Sequence, residues 1–186
     1  MSKFPFALAA ARFVTFLALS LWIGGMAFFG LMAAPVLFRI ARLNGVGAIA
    51  PQMVGAMLSR FGVLTTICAF VLLLCWLIDG ALSNATKSRL WRAQGIISLL
   101  CLGFSLFLNN VLLPQTQREQ VEILPLIARA ERGEVLSPAE QEKRAAFDAG
   151  HKSYQRLASL NLWLLLALLA IATARGVPRR AENSFV

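Results

Sequence analysis

Charged residues divide this chain into long apolar stretches. No Lys, Arg, Asp, Glu or His occurs in the 26 residues Phe13 to Phe38, the 18 residues Phe61 to Ile78, the 25 residues Ala93 to Gln117, or the 18 residues Leu157 to Ala174. A helix crossing a bilayer needs roughly 20 apolar residues, within a range of about 17–25. The pattern therefore predicts four transmembrane helices. The first run is longer than the apolar core of a secretory signal, about 7–15 residues, so it is expected to be retained as a span. Leu43, Val46, Ala50, Met53 and Met57 recur at helical spacing, and Pro51 suits a first helical turn. A helix from Pro51 to Ile78 is expected, with Arg60 reaching its head group to water.

The segment between spans three and four has its own pattern. Ser137-Pro138-Ala139-Glu140 reads as a capping box with Pro at the first helical position. A helix starting there would run into span four, from 138 to 174. At 1.5 Å per residue it would measure roughly 55 Å, well beyond a hydrocarbon core of about 30 Å. On the other arm, Pro114 is expected to kink or end span three. A short amphipathic piece with Val121, Leu124 and Ile127 follows, interrupted by Pro125 and closed by Gly133. Residues 118–156 are thus predicted to form an extracytoplasmic helical hairpin. The fold class is an all-α integral membrane protein, a four-helix transmembrane bundle forming one domain, 1–186.

Composition agrees with this reading. Of 186 residues, 58% are hydrophobic and 15% charged, against about 45–50% and about 25% in soluble domains. The net charge of +9 is an orientation signal and does not mark a nucleic-acid binder. Lys3, Arg12, Lys87, Arg89, Arg92, Arg175, Arg179 and Arg180 would share one side with only Asp79 and Glu182. Arg39, Arg42 and Arg60 fall on the other side, where residues 118–156 balance seven basic against seven acidic residues. Basic short loops stay cytoplasmic, so both termini are expected in the cytoplasm of a bacterial inner membrane, with the hairpin outside. Asn84-Ala85-Thr86, a glycosylation-like triplet, would then face the cytoplasm and is read as chance. Asp79 is expected to pair with the basic residues around it.

The chemistry available inside the spans is sparse. No catalytic constellation is visible, no cofactor is predicted, and the single His excludes a bis-His haem. Asn109 and Asn110 near the outer end of span three, and Asn161 near that of span four, are the strongest polar signal. They read either as a clasp between spans three and four or as a polar ligand pocket. Phe147, His151, Tyr154, Ala158 and Asn161 follow one another at helical spacing. That face either packs on span three, or His151, Tyr154 and Asn161 line a site open to the outside. Ser20/Gly24 and Gly30/Ala34, with Gly25, give small-residue spacing suited to helix packing. Cys68, Cys75 and Cys101 read as small buried hydrophobes, with Cys68 and Cys101 a weak candidate pair for Cu(I). Trp22, Trp76, Trp91 and Trp163 read as span residues or interface anchors.

Pro35 stands four residues before Arg39, and Pro114 four before Arg118. The same shift of 79 residues carries Gly24 onto Gly103 and Phe28 onto Phe107. Spans one and three run in the same direction, so either coincidence or a parallel repeat of two hairpins explains it.

The residues Leu21-Trp22-Ile23-Gly24-Gly25 running to Ala34-Pro35-Val36-Leu37-Phe38-Arg39, then Asn110 with Pro114, and finally Ser159-Leu160-Asn161-Leu162 resemble the transmembrane-protein-205-like family. Its bacterial members carry a domain of unknown function. Animal relatives are linked to platinum-drug resistance and membrane trafficking, without a settled biochemical activity. The family pattern has a His seven residues before the final Asn; here that place is Tyr154, with His151 one turn earlier. A weaker likeness is to copper-resistance membrane proteins, whose ligand His is replaced here by Thr15. Two functions follow as expectations. One is a non-enzymatic accessory protein docking another membrane protein, or a second copy of itself. The other is a small-molecule or copper carrier with a site near the outer face. An enzyme acting on a lipid or quinone ranks third.

Overall fold

A computed structural model describes residues 5–45, 49–83 and 88–176, with the side chain of Glu131 left aside. The sequon-like triplet at 84–86, Lys3, Lys87, Arg179, Arg180 and Glu182 lie outside these residues, as does Val46. The described chain is helical, with no strand among its residues. It runs α1 (Pro5–Phe28), a π turn (Phe29–Ala33), α2 (Ala34–Leu43), α3 (Ala50–Ser83), α4 (Arg89–Phe107), a second π turn (Leu108–Leu112), α5 (Leu113–Glu131) and α6 (Pro138–Gly176).

Four continuous helical stretches, Pro5–Leu43, Ala50–Ser83, Arg89–Ala130 and Pro138–Arg175, are long and apolar enough to cross a membrane. They form an up-down ring in which α1 and α4 each pack on both α3 and α6. Leu19, Trp22, Ala69, Leu72, Cys101, Leu165 and Leu168 fill the middle. Outside, large apolar residues stand bare, among them Phe13, Val63, Ile67, Phe70, Leu74, Ile96, Leu99 and Trp163. Inside, Thr15, Thr65, Gln94, Ser98, Ser105 and Asn161 are buried. An apolar surface over buried polar groups is the distribution that lipid favours and water penalises.

The 79-residue shift reappears in the backbone. The two π turns begin at Phe29 and Leu108, each followed at the same interval by Pro35 and Pro114. The buried positions Thr15, Leu19 and Trp22 of α1 recur as Gln94, Ser98 and Cys101 of α4. A proline within a helix lacks one N–H and crowds the carbonyl four residues back. Widening the preceding turn moves that carbonyl aside. The Ala34 N–H bonds Phe29 O and the Leu113 N–H bonds Leu108 O, both five residues back.

Two expectations about proline are corrected. Pro114 does not end span three, because the π turn before it absorbs the ring and the helix continues as α5. Pro125 lies within α5 and leaves it unbroken. Span two starts at Ala50 and reaches Ser83, so Leu43 belongs to the preceding helix. As expected, α6 is one helix from Pro138 through span four.

The hairpin of α5 and the first half of α6 is closed by specific contacts. Gly133, at φ +82°, ends α5 in a left-handed turn, where its N–H bonds Ala130 O at 3.0 Å and the Glu134 N–H bonds Arg129 O at 3.1 Å. The capping box forms reciprocally. The Glu140 N–H donates to Ser137 Oγ at 3.3 Å, and the Ser137 N–H donates to Glu140 Oε2 at 2.8 Å. Arg129 bridges the arms, 2.8 Å from Glu134 and 2.6 Å from Glu140.

Candidate functional site

Three polar constructions stand out against the apolar bundle. The first lies within about two turns of the helix ends on the side of the two termini. Asp79 of α3 is only 5% exposed. Its Oδ1 accepts from Arg12 Nε of α1 at 3.2 Å, and its Oδ2 accepts from Arg175 Nη2 of α6. Arg175 Nη1 also donates to Gln94 Oε1 of α4. One carboxylate therefore joins residues from all four spans. A buried charge is tolerated only when paired and hydrogen-bonded, and both carboxylate oxygens are taken here. A narrow cleft beside the cluster is lined by Arg12, Thr15, Phe16, Gln94, Ala172 and Arg175.

Next to it, α3 and α4 are clasped by a reciprocal tryptophan pair. Trp76 Nε1 donates to Trp91 O at 2.9 Å, and Trp91 Nε1 donates to Trp76 O at 3.3 Å. The rings stack at 4.4 Å between centroids. Each lies over a glycine of the facing helix, Trp76 on Gly95 and Trp91 on Gly80. Trp and Gly are four residues apart in both helices, so each presents a ring and a notch on one face.

The third construction is a polar ladder between α3 and the α4–α5 junction. Asn109, within the second π turn, seats its amide in the notch of Gly62. Its Nδ2 approaches Gly62 O at 2.9 Å, Thr65 Oγ1 at 3.1 Å, Thr66 Oγ1 at 3.3 Å and Ser105 Oγ at 3.2 Å. Further out, Gln117 Nε2 donates to Gly55 O at 2.9 Å and to Ser59 Oγ at 3.0 Å. The ladder ties the root of the hairpin to span two.

The asparagines do not share a cluster. Asn109 clasps span two, not span four. Asn110 is exposed and donates to the Leu106 carbonyl of its own helix. Asn161 is 2% exposed, and its Oδ1 has no hydrogen-bond partner among the described residues. Tyr154 is half-buried, while His151 is exposed, stacked on Phe147 and 3.1 Å from Gln155 Nε2. Of the span-one small residues, Gly25 lies under the Phe61 ring. Ser20, Gly24 and Gly30 face outward, and a Cβ on either of those two glycines would meet nothing within 4 Å; Ala34 is half-buried. Cys68 and Cys101 are both in the core cluster. Among the described residues, no group of three or more His, Cys, Asp or Glu is placed to hold a metal ion.

Sequence reasoning gave Asp79 basic partners but not the four-span junction. Gln94 and the tryptophan clasp were missed. The equal Trp-x-x-x-Gly spacing at 76/80 and 91/95 was the available signal.

A family model described as "Domain of unknown function (DUF4149)" matches residues 17–124, more than half of the chain. The match takes in Asp79, the tryptophan clasp and both π turns, and stops short of Arg12, Arg175 and Asn161. No curated protein and no solved structure matches the chain.

Proposed function

We propose that this chain, which belongs to the DUF4149 family, is a non-enzymatic accessory subunit that docks another membrane protein through its α5–α6 hairpin. The finer placement in the transmembrane-protein-205-like family is part of the same reading, as is an inner-membrane location with both termini cytoplasmic. The observation that carries it is the braced hairpin. Its tip is locked by Arg129, Glu134, Glu140 and the capping box, and its root by Gln117 and Asn109. It holds Val121 and Val135 at 66% and 89% exposure. A braced polar arm with isolated exposed apolar side chains loses little conformational entropy on docking, which favours recognition.

The test is photo-crosslinking in native membranes from positions 121 and 135, with lipid-facing position 163 as control. Docking gives discrete adducts at 121 or 135 that Arg129→Ala diminishes. Identical smears from all three positions would count decisively against it. Reporter fusions at residues 85 and 135 test the orientation, and an outward residue 85 overturns it.

A second reading has one observation behind it. Asn161 Oδ1 is a buried acceptor without a partner among the described residues, as expected where a ligand supplies the missing donor. On this reading the chain carries a small molecule near the hairpin side. Unchanged uptake, efflux and ligand binding in Asn161→Ala would remove it.

A further inference from the structure

We propose that the cleft between Arg12, Gln94 and Arg175 binds a phosphate oxygen of an anionic phospholipid headgroup. The first argument is charge. Two guanidiniums converge on a single carboxylate, so the cluster keeps one net positive charge. Arg175 is 11% exposed and Asp79 7% by side chain, whereas Arg12 is 39% exposed and forms the open side.

The second argument is unused donors. Arg12 engages Asp79 through Nε, and Gln94 accepts through Oε1. Among the described residues, the terminal nitrogens of Arg12 and the Gln94 amide nitrogen have no protein acceptor. Among the described residues, the buried side-chain polar atoms left without partners are Ser98 Oγ and Asn161 Oδ1. The spare donors of Arg12 and Gln94 therefore open on accessible surface. Thr15 donates to Ala11 O at 2.9 Å, which leaves its oxygen rather than its proton toward the cleft. The ligand must accept from guanidinium and amide N–H groups and carry negative charge. A phosphate oxygen does both, and its bonds to guanidinium are charge-assisted.

The third argument is position. Asp79 lies about one turn from the end of α3, and Arg175 occupies the last turn of α6. The cleft admits no more than a water-sized group. A single non-bridging oxygen fits, with the rest of the headgroup outside. A phospholipid around the bundle would present its phosphate near the helix ends, and basic pockets between spans suit such headgroups.

The experiment uses the full chain in detergent. Native mass spectrometry measures retention of phosphatidylglycerol against a galactolipid without phosphate, and inorganic phosphate is the soluble probe. Phosphatidylglycerol is expected to bind the wild type about tenfold tighter than the galactolipid, and Arg12→Gln to remove most of that preference. Arg12→Gln should keep the far-ultraviolet circular dichroism of the wild type. The comparison of lipids on the wild type needs no variant and stands even if Arg12→Gln misfolds. Equal retention of the two lipids overturns the proposal, as does an undiminished preference in folded Arg12→Gln. Displacement of the lipid by an equal concentration of inorganic phosphate supports the phosphate site and overturns its assignment to a lipid.

Discussion

Alanine at two glycines should move stability in opposite directions. At Gly80 a Cβ would sit 2.7 Å from Trp91 Cζ2, 2.8 Å from Nε1 and 2.9 Å from Cε2. The obstacle is a rigid ring, not the end of a flexible chain. Trp91 is stacked on Trp76 and bonded to its carbonyl, so it yields only by opening the clasp. Overpacking of this kind costs about 1–3 kcal/mol. Losing the aromatic pair adds about 0.5–1.5 kcal/mol. Replacing a helical glycine by alanine recovers about 0.5–1 kcal/mol. Gly80→Ala should therefore destabilise by about 0.5–4 kcal/mol. At Gly24 a Cβ meets nothing within 4 Å, so only the helical gain remains. Gly24→Ala should stabilise by about 0.5–1 kcal/mol. The assay is equilibrium unfolding in mixed micelles against rising dodecyl sulfate, followed by circular dichroism and tryptophan fluorescence. Gly80→Ala should also weaken the exciton signal of the stacked indoles. A Gly80→Ala midpoint at or above that of the wild type would refute the clasp as described.

Three further outcomes are expected. Asp79→Ala strands Arg175 in the bundle and should cost about 3–5 kcal/mol in the same titration, whereas Arg12→Gln, at the exposed end, should cost about 1 kcal/mol or less; equal losses would contradict the asymmetry. Ser137→Ala removes the cap of α6 and should cost about 1 kcal/mol, read as faster hydrogen exchange at residues 137–141. Acid should loosen the hairpin tip. Hydrogen bonds from Arg129, then Arg132, hold the Glu134 carboxyl below the usual carboxylate range. The Ser137 N–H, then its hydroxyl and Arg129, do the same for Glu140. A carboxyl depressed in the folded state contributes stability above its unfolded pKa of about 4.3 and loses it as pH falls through the lower folded value. Exchange at residues 129–140 should be flat from neutral pH to about 5 and then rise steeply, once corrected for intrinsic rates; a rise already complete at pH 6 would assign the brace to other groups.

The four spans were legible because a membrane filters composition directly, and charge-free runs need no partner to be read. The hairpin tip was legible for a similar reason, since Ser137, Pro138 and Glu140 act on their own backbone. Prolines misled because their effect depends on the turn before them. Pro114 follows a π turn that sequence periodicity does not announce, although its 79-residue echo of Pro35 was visible. The asparagines misled for another reason. Which helix Asn109 meets depends on the rotation of α4, and a widened turn changes that rotation. Gly62, a side-chain-free notch on α3, decides the matter and gives no polar signal of its own. Gln94 lacked any charge to draw attention, and its role exists only once α6 brings Arg175 beside it.

The junction at Asp79 also bears on how such a chain enters a bilayer. Its four contributors divide between the two helical hairpins: Arg12 and Asp79 belong to the first, Gln94 and Arg175 to the second. Each pair is bonded within its own hairpin. The first two spans can therefore insert with their ions mutually neutralised before the last span is available. The second hairpin arrives with its guanidinium already held by an amide. Only their meeting, through Arg175 and Asp79, fastens the halves, so biogenesis can proceed in two steps without exposing a lone carboxylate to lipid.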